Sequence, residues 1–522
     1  MQKIFCFMGA FVFVSAVIPT VIWADPPPVE PSSNTLTVDS SANTLNSQTG
    51  LALPEVVVTA NRLDTPVSQV ASSLTVITCK DLEQKQSNTV LEALSDIPGV
   101  DLIKSGGPGQ ISSALIRGGN AEHTLVMMDG IPLNDPLSTT CEYDDLDQLS
   151  VDDVKQIEVV RGPESPFYGS NAMGGVVNIV TQNGAGPLKG SLLFEGGAYD
   201  TFREALSAGG GDEKGNFLVT ASRFDTAGFP AADKAFGNTI NNGDQNSTGS
   251  IKLGLSPDSH FTNDLLVRYV QSQTHYDDGA GAGMDNPNLF MDGKQFVVGS
   301  QSRLELLGGG WEQVLGFSFT DHLRQYTNNP SSYQPFDFER GFYDGQAIQV
   351  NWQNNLKVEK GQTLVVGLQG HQEWGNSSDD FGAGPTTLVA NASTGSLFVE
   401  SQTSQGDRFF ETLGVRLDAH SQFGTHSSYH AGVAYFIPGL ETKLKATYGT
   451  AFRAPSLYQL YAPTYGNPGL APETSTGFDA GFEQPFGKNF FTLGATYFHN
   501  DFNSLIDYDF TTSQYFNTNQ AQ

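Results

Sequence analysis

The sequence predicts two units in series, a small α+β domain followed by a large antiparallel β-barrel that crosses a membrane with strands. Three observations predict this. Residues 97–181 alternate short apolar runs with clusters of Gly, Pro, Asn and Asp, the pattern of short strands joined by tight turns. From residue 190 onward apolar residues recur at every second position, so each strand presents one apolar and one polar face. Between those strands, short turns near 256–259, 358–362, 404–407 and 485–488 alternate with long polar loops at 225–247, 273–299, 326–343 and 375–392. A soluble sandwich gives no reason for that alternation, whereas a membrane barrel does.

Composition narrows the class further. The 522 residues carry 56 acidic against 27 basic side chains, a net charge of −29, which argues against nucleic acid as a partner. After residue 24 no apolar run reaches the ~18 residues a spanning helix needs, so helical spanning is excluded. An apolar fraction of 38% with 11% aromatics fits a polar-lined barrel with aromatic girdles.

At the start of the chain Lys3 precedes an apolar run over 4–23, interrupted by Gly9 and Pro19 and ending at Ala24. A positive end, an apolar middle and a small residue before a polar stretch predict a signal peptide over 1–24. Asp25, not Cys, follows, so no lipid anchor is expected. Residues 25–53, rich in Pro, Ser, Thr and Asn, cannot bury enough apolar surface to offset their ordering entropy and are predicted to be a mobile tether. Residues 54–62 read PEVVVTANR, in which three consecutive valines form a short strand in need of an edge. It is either the first strand of the next domain or a segment that pairs with another protein. A strand over 73–78 and a helical stretch from Cys79 through Leu94 come next, stopped by Pro98-Gly99.

Four motifs then occur in order: Ile116-Arg117-Gly118, Met128-Asp129-Gly130-Ile131-Pro132, Val160-Arg161-Gly162-Pro163, and YGSNAMGGVVNI over 168–179. Together they closely resemble the plug domain of TonB-dependent outer-membrane receptors. The resemblance implies that residues 63–182 form an α+β plug inside a transmembrane barrel of residues 190–522. It also implies that 54–62 is a TonB box. Glu55, Val56, Val57, Val58 and Thr59 would then add as a strand to the periplasmic energy-coupling protein TonB. FRAPSL at 452–457, YGNPGLAPE at 465–473 and NDFNSLIDY at 500–508 look most like the cobalamin-receptor branch, although siderophore receptors carry close variants.

About 16 candidate strands fall between residues 190 and 522, an even number as closure requires. The family uses ~22 around its plug, and residues 515–522 lack the terminal aromatic of such barrels. The expectation is a chain cut short at its C-terminus, leaving an open strand edge.

No catalytic residue is predicted. The nine histidines are scattered, residues 106–109 lack the Lys-Ser/Thr of a phosphate loop, and Gly169-Ser170-Asn171 is no nucleophile elbow. Following the family order, the plug apices are residues 105–110 and 133–145. There Ser105, Gln110, Asn134, Asp135 and Tyr143 are expected to hydrogen-bond a large polar ligand such as a corrinoid, or else to be ordinary solvated turn residues. Arg117 and Arg161 are expected to face charged wall residues and lock the plug, against the alternative of weak surface pairs. Asp277, Asp278 and Asp285, with Asp244, suggest calcium in the loops. Residues 241–246 carry fewer carboxylates than the family pattern, so no metal ligand is assigned. Cys6 leaves with the signal peptide, and Cys79 and Cys141 are expected to be unpaired thiols.

The leading function is uptake of cobalamin or another corrinoid across the outer membrane, powered through TonB. The alternative is a ferric-siderophore or haem receptor. A passive diffusion porin is the competitor from another class, for which an internal domain with a coupling box has no use. A purely adhesive or phage- and colicin-binding surface protein is the third.

Overall fold

The computed structural model describes residues 11–14, 56–57, 61–138, 145–231, 233–278, 284–330, 335–487, 491–518 and 520–521. Tyr143, Cys141, Cys6, Glu55, Val58, Thr59 and most of the expected leader and tether lie outside these residues.

The N-terminal domain is built on a five-stranded sheet in the order Ser73–Thr78, Val154–Arg161, Gly175–Thr181, Thr124–Met128, Ile131–Pro132. Gly175–Thr181 runs parallel to Thr124–Met128 and antiparallel to Val154–Arg161. These central strands are covered on both faces, which is why they read as continuous apolar runs instead of alternating. Val126, Met128, Ile157, Val159, Val177 and Ile179 share one core with Leu82, Val90 and Leu94 of the flanking helices.

The single helical stretch expected over 79–94 is two short helices, Cys79–Lys85 and Val90–Leu94. Thr78 and Asp81 form a reciprocal capping box at the first. Gln86 leaves it in the left-handed region at φ 54°, and Thr89 caps the second through the Glu92 N–H. The break falls at Ser87-Asn88-Thr89, residue types that favour caps over helix interiors.

The second unit is a 17-stranded sheet. Fifteen long strands run consecutively from Gly186–Gly197 to Phe491–Asn503, every neighbouring pair antiparallel, one fewer than the sequence suggests. The end of the chain forms instead a small hairpin, Ile506–Asp509 with Gln514–Asn517, and a short strand, Gln520–Ala521, against Phe502–Asn503. Phe11–Val14, within the expected signal peptide, pairs antiparallel with Phe491–Asn503 and neighbours Gly186–Gly197 in the sheet order.

Burial on these strands is the reverse of a soluble protein. Leu192, Leu315, Leu368, Leu413 and Val415 point outward and exposed, while Thr248, Ser250, Arg268, Ser318 and Arg416 point inward and are buried. That is the signature of an apolar surrounding medium and a polar interior. No helix among the described residues is long and apolar enough to cross a membrane.

The short turns fall where expected, within a residue or two. The long loops need correction. Glu339–Glu359 and Thr386–Gln405 extend 21 and 20 residues, and Trp311–Asn328 and Gln362–Asp380 are similarly long, so much of 326–343 and 375–392 is paired strand. Beyond the apolar band the hairpins continue into water, where polar side chains no longer alternate with apolar ones. Cross-strand bonds such as Gln273 Nε2 to Asp292 (2.8 Å) and Tyr343 Oη to Asp379 (2.5 Å) hold them there.

Candidate functional site

The first domain sits inside the ring, and charge complementarity positions it. Its acidic residues face cations on the wall. Asp129 meets Lys252 at 3.0 Å, Asp153 meets Arg268 at 3.0 Å, Asp135 meets Arg324 at 2.8 Å, and Asp152 bonds Arg203.

Arg117 reverses the polarity. It ends the Ser112–Ile116 strand in the left-handed region at φ 54°, beside Gly99 at φ 75°. From there its guanidinium forks onto both Asp479 oxygens at 2.7 Å each and lies 4.5 Å over the Phe498 ring. Both partners are nearly inaccessible to water, so the pair is strongly coupled.

Arg161 does not share this geometry. It donates to Thr75 Oγ1 at 2.7 Å and to the Ser73 carbonyl at 3.5 Å, within its own domain. Burial, then the neighbouring Arg117, lowers its pKa to about 10. The charged wall residue Asp479 acts on Arg161 electrostatically, as expected, while its hydrogen bonds go to the adjacent strand of its own sheet.

Most of the expected ligand contacts are already engaged. Gln110 is buried and donates from Nε2 to the His275 carbonyl at 2.6 Å, tying an apex to the wall. Asn134 is buried, accepting from Val126 N–H at 3.0 Å and donating to the Thr124 carbonyl. Asp135 caps Leu137 N–H at 2.8 Å besides holding Arg324. These three hold the apex together through internal bonds, and the ligand-contact role expected of them stays a proposal. Ser105 is exposed on the other apex, bonded to Ile111 O.

Among the described residues the acidic loop side chains do not converge on a calcium site. Asp285 accepts from Thr239 and Ile240 N–H, Asp278 from Asn286, and Asp244 is buried inside the ring against Gln148 (3.0 Å) and Thr274 (2.6 Å). Glu122, His123 and Glu473 do cluster within metal-ligand range. The Arg453 Nε, 2.5 Å from Glu473, already supplies the positive charge there.

Two features escaped the sequence reading. Arg62, five residues beyond Val57, donates from Nε to the Phe167 carbonyl at 2.6 Å and stacks 3.8 Å over Phe398. Gln353 bonds its backbone carbonyl at 3.0 Å, and burial lowers its pKa to about 9. Its only sequence signal is an arginine directly after the valine-rich stretch. At the long-loop end Tyr343, Tyr458, Tyr465, Tyr508 and Tyr515 gather round Leu137 and Leu457, with Tyr343–Tyr458 centroids 6.1 Å apart and Tyr508–Tyr515 5.2 Å. The repeated tyrosines over 458–465 and 508–515 were the available clue.

Glu164 lies buried with one carboxylate oxygen unbonded. Burial pushes its carboxyl well above the ordinary range, against a hydrogen bond from Ser72. A carboxyl raised on folding contributes stability below its unfolded pKa, and that stability is lost as pH rises through the folded value. Glu164→Gln is therefore expected to gain about 1–3 kcal/mol at alkaline pH and nothing below about pH 4. Thermal unfolding of both forms across that range in detergent measures it.

A family model described as TonB dependent receptor-like, beta-barrel, matches residues 190–522. A second, the TonB-dependent Receptor Plug Domain, matches residues 66–176. Among solved structures the chain is similar to the siderophore receptor PirA from Pseudomonas aeruginosa, at 21% identity over 86% of this chain and 80% of that one, TM-score 0.67. It is likewise similar to the ferric yersiniabactin uptake receptor FyuA from Yersinia pestis, at 18% identity over 84% and 74%, TM-score 0.66. The copper transporter OprC shares 18% identity over 86% and 75%, TM-score 0.70. At these identities the likeness establishes the fold.

Proposed function

This chain belongs to the TonB-dependent receptors, outer-membrane β-barrels that transport through TonB, and we propose that its cargo is an iron chelate of the siderophore class. The observation that carries this reading is the tyrosine cluster at the long-loop mouth, directly above the plug apex. Flat aromatic faces with hydroxyl edges suit the flat, hydrogen-bonding arms of such a chelate. The names of PirA and FyuA support the same class. In this reading residues 1–24 direct export, 25–53 tether the box, and Glu55 to Thr59 pair with TonB. A corrinoid is the second reading, favoured by the sequence of 500–508.

Uptake by a deletion strain with and without the gene separates them. Radioiron supplied with catecholate, hydroxamate and carboxylate chelators is expected to enter only with the gene and with TonB, and for one of the three classes. Radiolabelled cyanocobalamin is expected to enter equally in both strains. The reverse result would establish the corrinoid reading, and iron entry without TonB would favour a passive porin.

A further inference from the structure

We infer that a small cavity beside the mouth tyrosines takes an organic cation of the alkylammonium type, and that the cargo carries one. This rests on the siderophore reading and narrows it to a chelate of neutral core with a cationic arm.

The cavity, of about 100 Å³, lies where the end of Gln362–Asp380 meets the helix Leu457–Tyr461 and the turn after it. Asp379, Thr386, Tyr458, Pro463 and Tyr465 line it. That is well below the ~300 Å³ of a pocket for a whole drug-sized ligand, so it suits a single arm. Tyr458 and Tyr465 belong to the mouth cluster, and Asp379 is fixed beside them by accepting the Tyr343 hydroxyl. Aromatic faces with one carboxylate are what an organic cation selects. The ring quadrupoles attract its charge, and the carboxylate supplies the opposite one. A neutral arm gains neither, and an anionic arm is repelled by Asp379. No Lys or Arg is among the lining residues. The nearby Arg324 lies 5.3 Å from the Tyr343 centroid and is already paired with Asp135 at 2.8 Å.

The charge of the whole mouth has the same sign. At the long-loop end, residues 275–294, 328–346, 371–391 and 501–517 carry thirteen Asp and Glu against two Lys and Arg. At the short-turn end, residues 212–215, 256–261, 303–312, 357–362, 405–409, 441–445 and 483–488 carry nine against eight. The acidic excess therefore belongs to the entrance and not to the barrel as a whole. Burial first, then the neighbouring Asp379 and Asp278, raises the Glu339 carboxyl, as carboxylates crowded without a cation between them do. Such a field enriches cations and turns anions away over the ~8 Å that physiological salt leaves unscreened. An iron tris-catecholate is an anion and an iron tris-hydroxamate is neutral. A tris-hydroxamate bearing a free amine is a cation, which fits both the field and the cavity.

The first measurement contains no iron. The full chain in detergent is titrated calorimetrically with n-butylammonium chloride, and with n-butanol as its uncharged match. Butylammonium is expected to bind about tenfold more tightly than butanol or better. Asp379→Asn, which keeps an acceptor for Tyr343, is expected to remove that preference, and Tyr465→Leu to weaken butylammonium by about threefold or more. Thermal melting of each variant checks that it is folded. Equal binding of the two probes, or a preference that survives Asp379→Asn, overturns the site. In the second measurement ferric complexes compete with butylammonium. A linear trihydroxamate ending in a primary amine is expected to displace it, the same complex N-acetylated to do so about tenfold less well, and a tris-catecholate not to do so. Displacement by the catecholate as readily as by the amine overturns the charge assignment. Displacement by none of the three would sink the iron-chelate cargo, while the cation site stands on the first measurement.

Discussion

Val57→Pro is expected to abolish TonB-dependent uptake while leaving ligand binding at the cell surface unchanged. A strand added to a partner's sheet is held by main-chain bonds, so most side-chain changes are tolerated but loss of an N–H is not. Proline removes that donor and fixes φ, leaving the partner's carbonyl unpaired at about 1–3 kcal/mol, roughly ten- to a hundredfold in affinity. Val57 faces Thr65 and Val56 faces Pro66 in a two-stranded ribbon folded back onto the plug. In the proposed coupling role the segment exchanges that pairing for the partner's. Val57→Ala, which keeps the N–H, is the control and is expected to transport normally. Uptake by the proline variant would remove the coupling role from this segment.

Arg117→Ala is expected to loosen the plug more than any other single change at its interface. Removing one member of a buried pair leaves the other charge uncompensated, typically at about 3–5 kcal/mol, and Asp479 would be left so. In urea the plug of the variant should become accessible to trypsin at lower denaturant than in the parent, with barrel integrity unchanged. The double exchange Arg117→Asp with Asp479→Arg is expected to recover part of the loss. An unchanged trypsin profile for Arg117→Ala would show that the pair holds nothing.

The architecture was largely legible in the sequence because period-two alternation and the order of the glycine-rich motifs are local signals. The barrel strands and short turns followed from the first, and the plug from the second. What a linear reading misses depends on which surface a residue meets after folding. Gln110, Asn134 and Asp135 lie in turns rich in glycine and proline, where polar residues normally face water. Here the enclosing wall turns them into buried anchors, with Gln110 spending its amide on the His275 carbonyl. Arg117 and Arg161 each close a short strand, yet one reaches the wall and the other its own sheet, because the left-handed turn at Arg117 redirects its side chain. The long hairpins were read as loops because their upper halves face water on both sides and lose the apolar phase.

Those tall hairpins have a further consequence. Standing clear of the lipid, they form a palisade, and antibodies or phage tail fibres would touch its rim, such as residues 381–385, well before the tyrosine floor. Variation at the rim can then evade such attackers without altering what the floor admits.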